Sequence, residues 1–147
     1  MSKSSRSPNV TRLVVASIFV TNLGAPNAIP SDGFKILVGR NNIQNDILTL
    51  KTAMNYDMWL HVQKYAGSHT VIIADKKEIT ETAIFEAACI AAYHSKAKDS
   101  SSVAVDYTLI KNVKKPTGAK PGKVIYNTYN TIYVTPEKEL IEKLISE

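Results

Sequence analysis

GRNNIQNDILTLKTAMNYDMWLHVQKYAGSHTVII, residues 39–73, decides how the rest of the chain reads. Ile43, Ile47, Leu50 and Met54 recur at steps of four, three and four, the spacing of one stripe on a helix, with Asn41 or Asn42 available as its cap. The opposite face, carrying Gln44, Asn45, Thr49 and Thr52, is then expected to be open to solvent or to a ligand. After it, residues 57–62 alternate strictly, which predicts a strand with Met58, Leu60 and Val62 inward and Asp57, Trp59 and His61 on the other face. Gly67 and Ser68 mark a turn, and residues 69–73 are β-branched enough to return as a second strand. Such a hairpin brings His61 and His69 toward each other. So many Asn, Asp, His and Ser side chains in one short stretch exceed what folding needs, and they nominate it as functional.

Upstream, Asp32 and Gly33 form a turn signal, and Phe34, Ile36 and Val38 alternate with Lys35 and Leu37 as the first strand of a module. Residues 1–30 read as an N-terminal extension, partly disordered at its Ser-rich start, with an apolar run at 13–20 that predicts an extra edge strand or flap. That run is too short to cross a bilayer. It imitates a secretory leader, but it is short for one and is interrupted by Ser17.

Downstream, Thr80 can cap a helix running to about residue 97, whose stripe of Ala83, Ile84, Ala87, Ala88 and Ala91 is small enough to lie close on a sheet. Residues 103–113 read as one long strand, with Val103, Val105, Tyr107 and Leu109 on one face and Asp106 and Thr108 on the other. KKPTGAKPGK (114–123) is a loop stiffened by prolines and turned by glycines. Residues 124–126 and 131–134 read as a hairpin, and Leu140, Ile141, Leu144 and Ile145 as a short amphipathic helix. The sum is a single α+β domain over residues 31–147, a mixed, mainly antiparallel sheet packed by two main helices and a short C-terminal helix.

A length of 147 residues fits one domain. The formal charge of +5 favours an anionic partner without choosing between nucleic acid, membrane and acidic protein. The lone cysteine, Cys89, cannot form an intrachain disulfide, and the cytoplasm is the expected compartment.

The densest charge is the run of Lys111, Lys114, Lys115, Lys120 and Lys123, with Lys96 and Lys98 before it and only Asp99 and Asp106 among them. Lysines on a pre-ordered loop can track a phosphate backbone without reading sequence. Arg40, Asn41, Asn42 and Asn45 stand at a helix start, with Lys51 on the same helix, and the free N–H groups there suit a phosphate. Trp59 and Tyr65 could stack on an unpaired base, although a lone Trp is more often a packing residue. Asp57, His61, Ser68, His69 and Asp106 read as a buried polar network in which the carboxylates accept from His61, His69 or Ser68. The His spacing matches no zinc signature, and neither metal nor cofactor is expected. The 118–123 run departs from a phosphate-binding P-loop, with Val124 where Ser or Thr should follow, and no catalytic constellation is visible. The chain does not read as an enzyme.

The succession N-N-x-x-N-x-x-L-T-x-K-x-A, D-x-W-x-H-V and G-S-H-x-V-I resembles the NFACT-R domain, the RNA-binding module of the NFACT ribosome quality control proteins. Ser31-Asp32-Gly33-Phe34, Ala87-Ala88, Tyr93-His94-Ser95-Lys96-Ala97, Val105-Asp106-Tyr107-Thr108 and the run from Val113-Lys114-Lys115-Pro116 to Gly118-Ala119-Lys120-Pro121-Gly122 match in order, so the resemblance spans about residues 31–136. It implies a non-catalytic RNA-binding module acting as a stand-alone chain, with tRNA or ribosomal RNA, and through it the large ribosomal subunit, as partners in translation. The full-length family carries an N-terminal domain and a coiled coil that find no counterpart in these residues. A protein-interaction module and an accessory to tRNA modification are the alternatives; relatives described as fibronectin- or fibrinogen-binding bear on the first.

Overall fold

The computed structural model describes residues 14–18 and 34–144. Among them the strands are Val14–Ile18 (β1), Phe34–Val38 (β2), Met58–Val62 (β3), Thr70–Ile73 (β4), Val103–Leu109 (β5), Val113–Lys114 (β6), Ile125–Tyr126 (β7) and Asn130–Val134 (β8). The helices are Asn42–Ile47 (α1), continued by a π-helical turn at Leu48–Thr52, then Glu81–Tyr93 (α2) and Lys138–Leu144 (α3). Six strands form one sheet in the order β1-β2-β4-β3-β5-β8. Each neighbouring pair in it is antiparallel. Strands β6 and β7 pair separately as a short ribbon. The architecture is α+β. Among the described residues, no helix is long and apolar enough to cross a membrane.

Both faces of the sheet are covered, which explains the double-sided burial of its strands. On one face Ile36, Val38, Leu60, Val62, Ile72, Val103 and Val105 meet α2, with Ile141 of α3 completing the cluster. Ala83, Ala87, Ala88, Ala91 and Ala92 are fully buried, so the small stripe does bring α2 close to the sheet. The Thr80 hydroxyl caps α2 by accepting from Ala83 N at 3.1 Å. The helix stops at Tyr93 and not near residue 97. There His94 donates through Nδ1 to Ile90 O, and the Ser95 hydroxyl donates to Ala92 O while accepting from Ala97 N, local bonds that compete with further helix.

On the other face Leu37, Trp59 and Val71 pack with Leu48, Ile110 and Val113, beneath a layer made of α1, its π-helical turn and the β6–β7 ribbon. Helix α1 sits the opposite way round from its apolar stripe. Ile43 is 65 % and Met54 74 % exposed, and Leu50 also faces out, whereas Gln44, Asn45 and Thr49 are buried with Leu48. The inversion costs little because the inward polar atoms have partners. Gln44 Oε1 accepts from Arg40 N at 2.8 Å, Asn45 Oδ1 from His69 N at 3.1 Å, and Thr49 Oγ1 lies 2.7 Å from His69 Nδ1. Asn41 is the cap, its Oδ1 accepting from Gln44 N.

Two elements differ from their sequence reading. The long strand ends at Leu109, because a 3₁₀ turn at Ile110–Asn112 is drawn to the 55–57 segment by Ile110 N donating to Asp57 O and Lys111 N to Asn55 O. The 124–134 segment is no hairpin: β7 pairs with β6 in the outer layer, and β8 pairs with β5 at the sheet edge. The Thr108 hydroxyl, donating to Thr128 O at 2.6 Å, fixes the crossover between them. The 1–13 and 19–33 segments, including the Asp32-Gly33 turn, lie outside the described residues.

Candidate nucleic-acid interface

The outer layer carries the basic loop, and the loop is built around one of its own lysines. Lys115 Nζ forms an ion pair with Asp46 at 3.3 Å and donates to Lys120 O at 2.6 Å and Lys123 O at 3.3 Å. Asp46 Oδ1 also accepts from Gly122 N at 2.9 Å, which ties the loop to α1. Gly122 is in the left-handed region, with φ of 86°, and an added Cβ would meet Asn42 Oδ1 at 2.8 Å. Lys115 is therefore a structural ammonium, not a free phosphate contact. Lys111, Lys114, Lys120 and Lys123 are exposed around it, and Lys51 is exposed on the π-helical turn of the same layer.

Below the loop lies a polar floor whose wiring differs from the network read in sequence. His61 and His69 do approach, with ring centroids 5.6 Å apart and edge to face. His69 is held on both nitrogens, Nδ1 by Thr49 Oγ1 and Nε2 by Gly122 O at 3.2 Å. A carbonyl only accepts, so Nε2 carries the proton and Nδ1 accepts from the Thr49 hydroxyl. Burial, helped by nearby His61, lowers the His69 pKa to about 4, and burial also lowers that of His61. Both rings are neutral at pH 7.

Neither carboxylate accepts from a histidine or from Ser68. Asp106, the register partner of His61 across β3 and β5, takes Gln63 Nε2 at 2.7 Å and the Thr131 hydroxyl at 2.8 Å on Oδ1, and the Tyr126 hydroxyl at 2.7 Å on Oδ2. Asp57 instead binds backbone, with Ala74 N on Oδ1 and Met54 N on Oδ2, joining the end of β4 to the end of the π-helical turn. Ser68 donates its backbone N–H to His94 O. The carboxylates thus serve as acceptors for hydroxyl, amide and backbone donors, which are the donors the crossing chain places beside them. No group of three or more His, Cys, Asp or Glu among the described residues is placed to hold a metal ion. Cys89 is buried and its thiol is pushed up to about 12 by burial and by Glu86 and Glu137, so it stays protonated.

Trp59 is 1 % exposed and packs against His61, His69 and Tyr126. As the inner wall of the layer it is unavailable as an open stacking platform. Exposed aromatic rings stand elsewhere: Tyr65, Tyr56 with Lys111 Nζ 5.7 Å from its ring centre, and Tyr129 beside Tyr126 at 5.2 Å. A recess of about 480 Å³ opens between the floor and the loop, bordered by Trp59, His61, Asp106, Lys123, Tyr126 and Tyr129. A second, of about 280 Å³, gathers Arg40, Asn41 and Asn42 with Ser68, His94 and Lys96. Arg40, Asn41 and Asn42 are exposed there, while Asn45 is buried by its bond to His69 N. Tyr56, Lys64 and Tyr129 were not singled out from sequence. The spacing Tyr126-Asn127-Thr128-Tyr129, aromatic residues in a polar stretch next to basic ones, is the signal that could have found Tyr129.

Comparison with known proteins bears on the family and the fold. The family described as "NFACT protein RNA binding domain" matches residues 26–128. The Rqc2 homolog RqcH of Bacillus subtilis is 54 % identical over 114 residues, 78 % of this chain and 20 % of the relative. The Rqc2 homolog RqcH of Streptococcus suis is 44 % identical over 109 residues, 74 % of this chain and 20 % of its own. This chain therefore spans about a fifth of the length of these relatives. Among solved structures, the C-terminal part of the fibronectin/fibrinogen-binding protein from Streptococcus suis is similar with a TM-score of 0.74 and 42 % identity, over 77 % of this chain and 46 % of that one.

Proposed function

We propose, since this chain belongs to the NFACT protein RNA-binding domain family, that it binds tRNA or ribosomal RNA through its outer layer and takes part in ribosome quality control or translation, in the cytoplasm, as a module without catalysis of its own. The observation that carries the reading is where the exposed acids lie among the described residues, since exposed lysines, such as Lys76, Lys98 and Lys138, occur on the α2 and α3 side as well. Arg40, Lys51, Lys64, Lys111, Lys114, Lys120 and Lys123 are exposed on the α1 and ribbon layer and the sheet end beside it. The acids within that region, Asp46, Asp57 and Asp106, are all held by internal bonds. The exposed carboxylates among the described residues, Asp75, Glu78, Glu81, Asp99, Glu137, Glu139 and Glu142, belong to α2, α3 and their connectors. An RNA strand on the outer layer thus meets cations and aromatic rings without opposing free acids. The RNA-binding unit is residues 31–147, with residues 1–30 an extension to it.

Binding of labelled tRNA and of a ribosomal RNA fragment to the wild type and to Lys114→Glu/Lys120→Glu/Lys123→Glu tests the proposal, with circular dichroism as the folding control. The expected result is binding that weakens steeply with salt and is lost in the folded triple variant. Equal binding by the two proteins, or none by the wild type at low salt, overturns it. Lys115 is left out because its substitution dismantles the loop.

One observation favours a second reading, docking of a protein partner: the outward Ile43, Leu50, Met54 and Tyr56 side chains make an exposed apolar strip on the same layer. Protein capture that persists at high salt and is lost in Ile43→Asp/Met54→Asp is its expected signature, and capture unchanged by those substitutions contradicts it.

A further inference from the structure

We propose that the recess between the floor of the outer layer and the basic loop is a nucleobase pocket, which takes one unstacked base while the phosphates beside it stay at the rim; this rests on the RNA-binding reading of the same layer. Its volume of about 480 Å³ is within the range of small-ligand sites. Its walls are flat rings. Trp59 and His61 are stacked with 6° between their planes at 5.8 Å, Tyr126 leans on Trp59 at 4.8 Å, and Tyr129 stands at 83° to Tyr126 at the exposed edge. Every base has a π-face, and the exposed Tyr129 ring at the mouth offers one for it to stack on, while the buried Trp59 ring closes the back of the recess.

The polarity of the pocket separates a base from a bare anion. The floor holds a carboxylate, Asp106, and neutral imidazoles, so it repels a phosphate. The cations that border the recess, Lys64 and Lys123, are exposed at its rim. A nucleotide satisfies both conditions by placing its base inward and its phosphate outward. Asp106 accepts three donors, from Gln63, Thr131 and Tyr126. A carboxylate has about four acceptor sites, so one is left for an amino or imino group of a base.

Trp59 is the single tryptophan of the chain, so its emission reports on this recess alone. The experiment titrates the whole chain with a short single-stranded RNA, an abasic strand of the same length, and adenosine or guanosine monophosphate, reading Trp59 emission and strand anisotropy together. The RNA strand is expected to change Trp59 emission, and the abasic strand to bind through its phosphates and leave the emission unchanged. Tyr129→Ala should weaken the RNA strand about tenfold with little change for the abasic one, and Tyr129→Phe should restore it. A saturable response to the free nucleotides assigns the pocket to a nucleotide ligand, and a response confined to the strand assigns it to a residue of the RNA chain; either supports a nucleobase. Equal affinity and emission with RNA and abasic strands, indifferent to Tyr129→Ala, overturn the pocket while leaving the interface standing. Absence of any binding overturns both.

Discussion

At the scale of single residues, two buried groups, His69 in the floor of the interface and Glu86 on α2, link pH to stability in opposite directions. His69 has a folded pKa of about 4 against an ordinary 6.5, so it binds a proton more readily when unfolded. Its contribution is fully present above pH 6.5 and is lost as pH falls from 6.5 toward 4, up to about 3 kcal/mol if the whole shift is realised. Glu86 works in reverse. Its carboxyl is buried on α2, one oxygen has no partner, and burial raises its pKa to about 7, so its neutral form is favoured and the cost appears as pH rises from 4.5 through 7. Denaturant midpoints measured across this range should show that His69→Gln flattens the acid limb, and that Glu86→Gln stabilises by about 1–3 kcal/mol above pH 7 and by little at pH 4.5. Parallel curves for wild type and Glu86→Gln would remove the assignment to Glu86. A third residue-scale outcome concerns Gly39, where an added Cβ would fall on Asn45 Oδ1 and close to its backbone. Gly39→Ala should cost about 2 kcal/mol or more in the same assay, and a neutral result would mean that α1 can shift freely. The polar stretch was legible as a functional candidate, but its partners were not. Asp106 is bonded to Gln63, Tyr126 and Thr131, and the last two come from segments whose path sequence periodicity cannot give.

At the scale of elements, periodicity found β2, β3, β4 and α2, whose inward residues are apolar and regular. It misplaced the faces of α1 for a physical reason. A period of 3.6 identifies a stripe, and burial is then assigned to its apolar side on the assumption that polar groups cannot be satisfied inside. In α1 they are satisfied, by Arg40 N, His69 N and the His69 ring, so the apolar side is the outer one. The basic loop is the second case, since a run of lysines gives no hint that one of them is the loop's internal anchor. Lys115→Met and Asp46→Ala should each speed amide exchange at Gly122 and cost about 1–3 kcal/mol, because each removes a partner from a charged, half-buried bond. Unchanged exchange at Gly122 would show that the loop is held by other means. Both variants should also weaken RNA binding, including Asp46→Ala, which makes the surface more positive; tighter binding by Asp46→Ala would mean that charge alone, and not loop shape, governs contact.

At the scale of the molecule, a sheet covered on both sides lets one face be an anchor and the other a working surface. Helices α2 and α3 with their acids cover the first, and α1 with the lysine-bearing ribbon covers the second. If the working surface meets a polyphosphate, the logarithm of affinity should fall linearly with the logarithm of salt, and removing Lys114, Lys120 and Lys123 together should lower the slope by about 2–3. The most direct measurement is photocrosslinking of bound RNA to the full chain, with the attachment sites read by mass spectrometry. Attachment at Tyr129, Lys123, Lys114 and Tyr56 on the outer layer is the predicted result. Attachment concentrated on α2, at Phe85 and its neighbours, with the outer layer untouched, would contradict it.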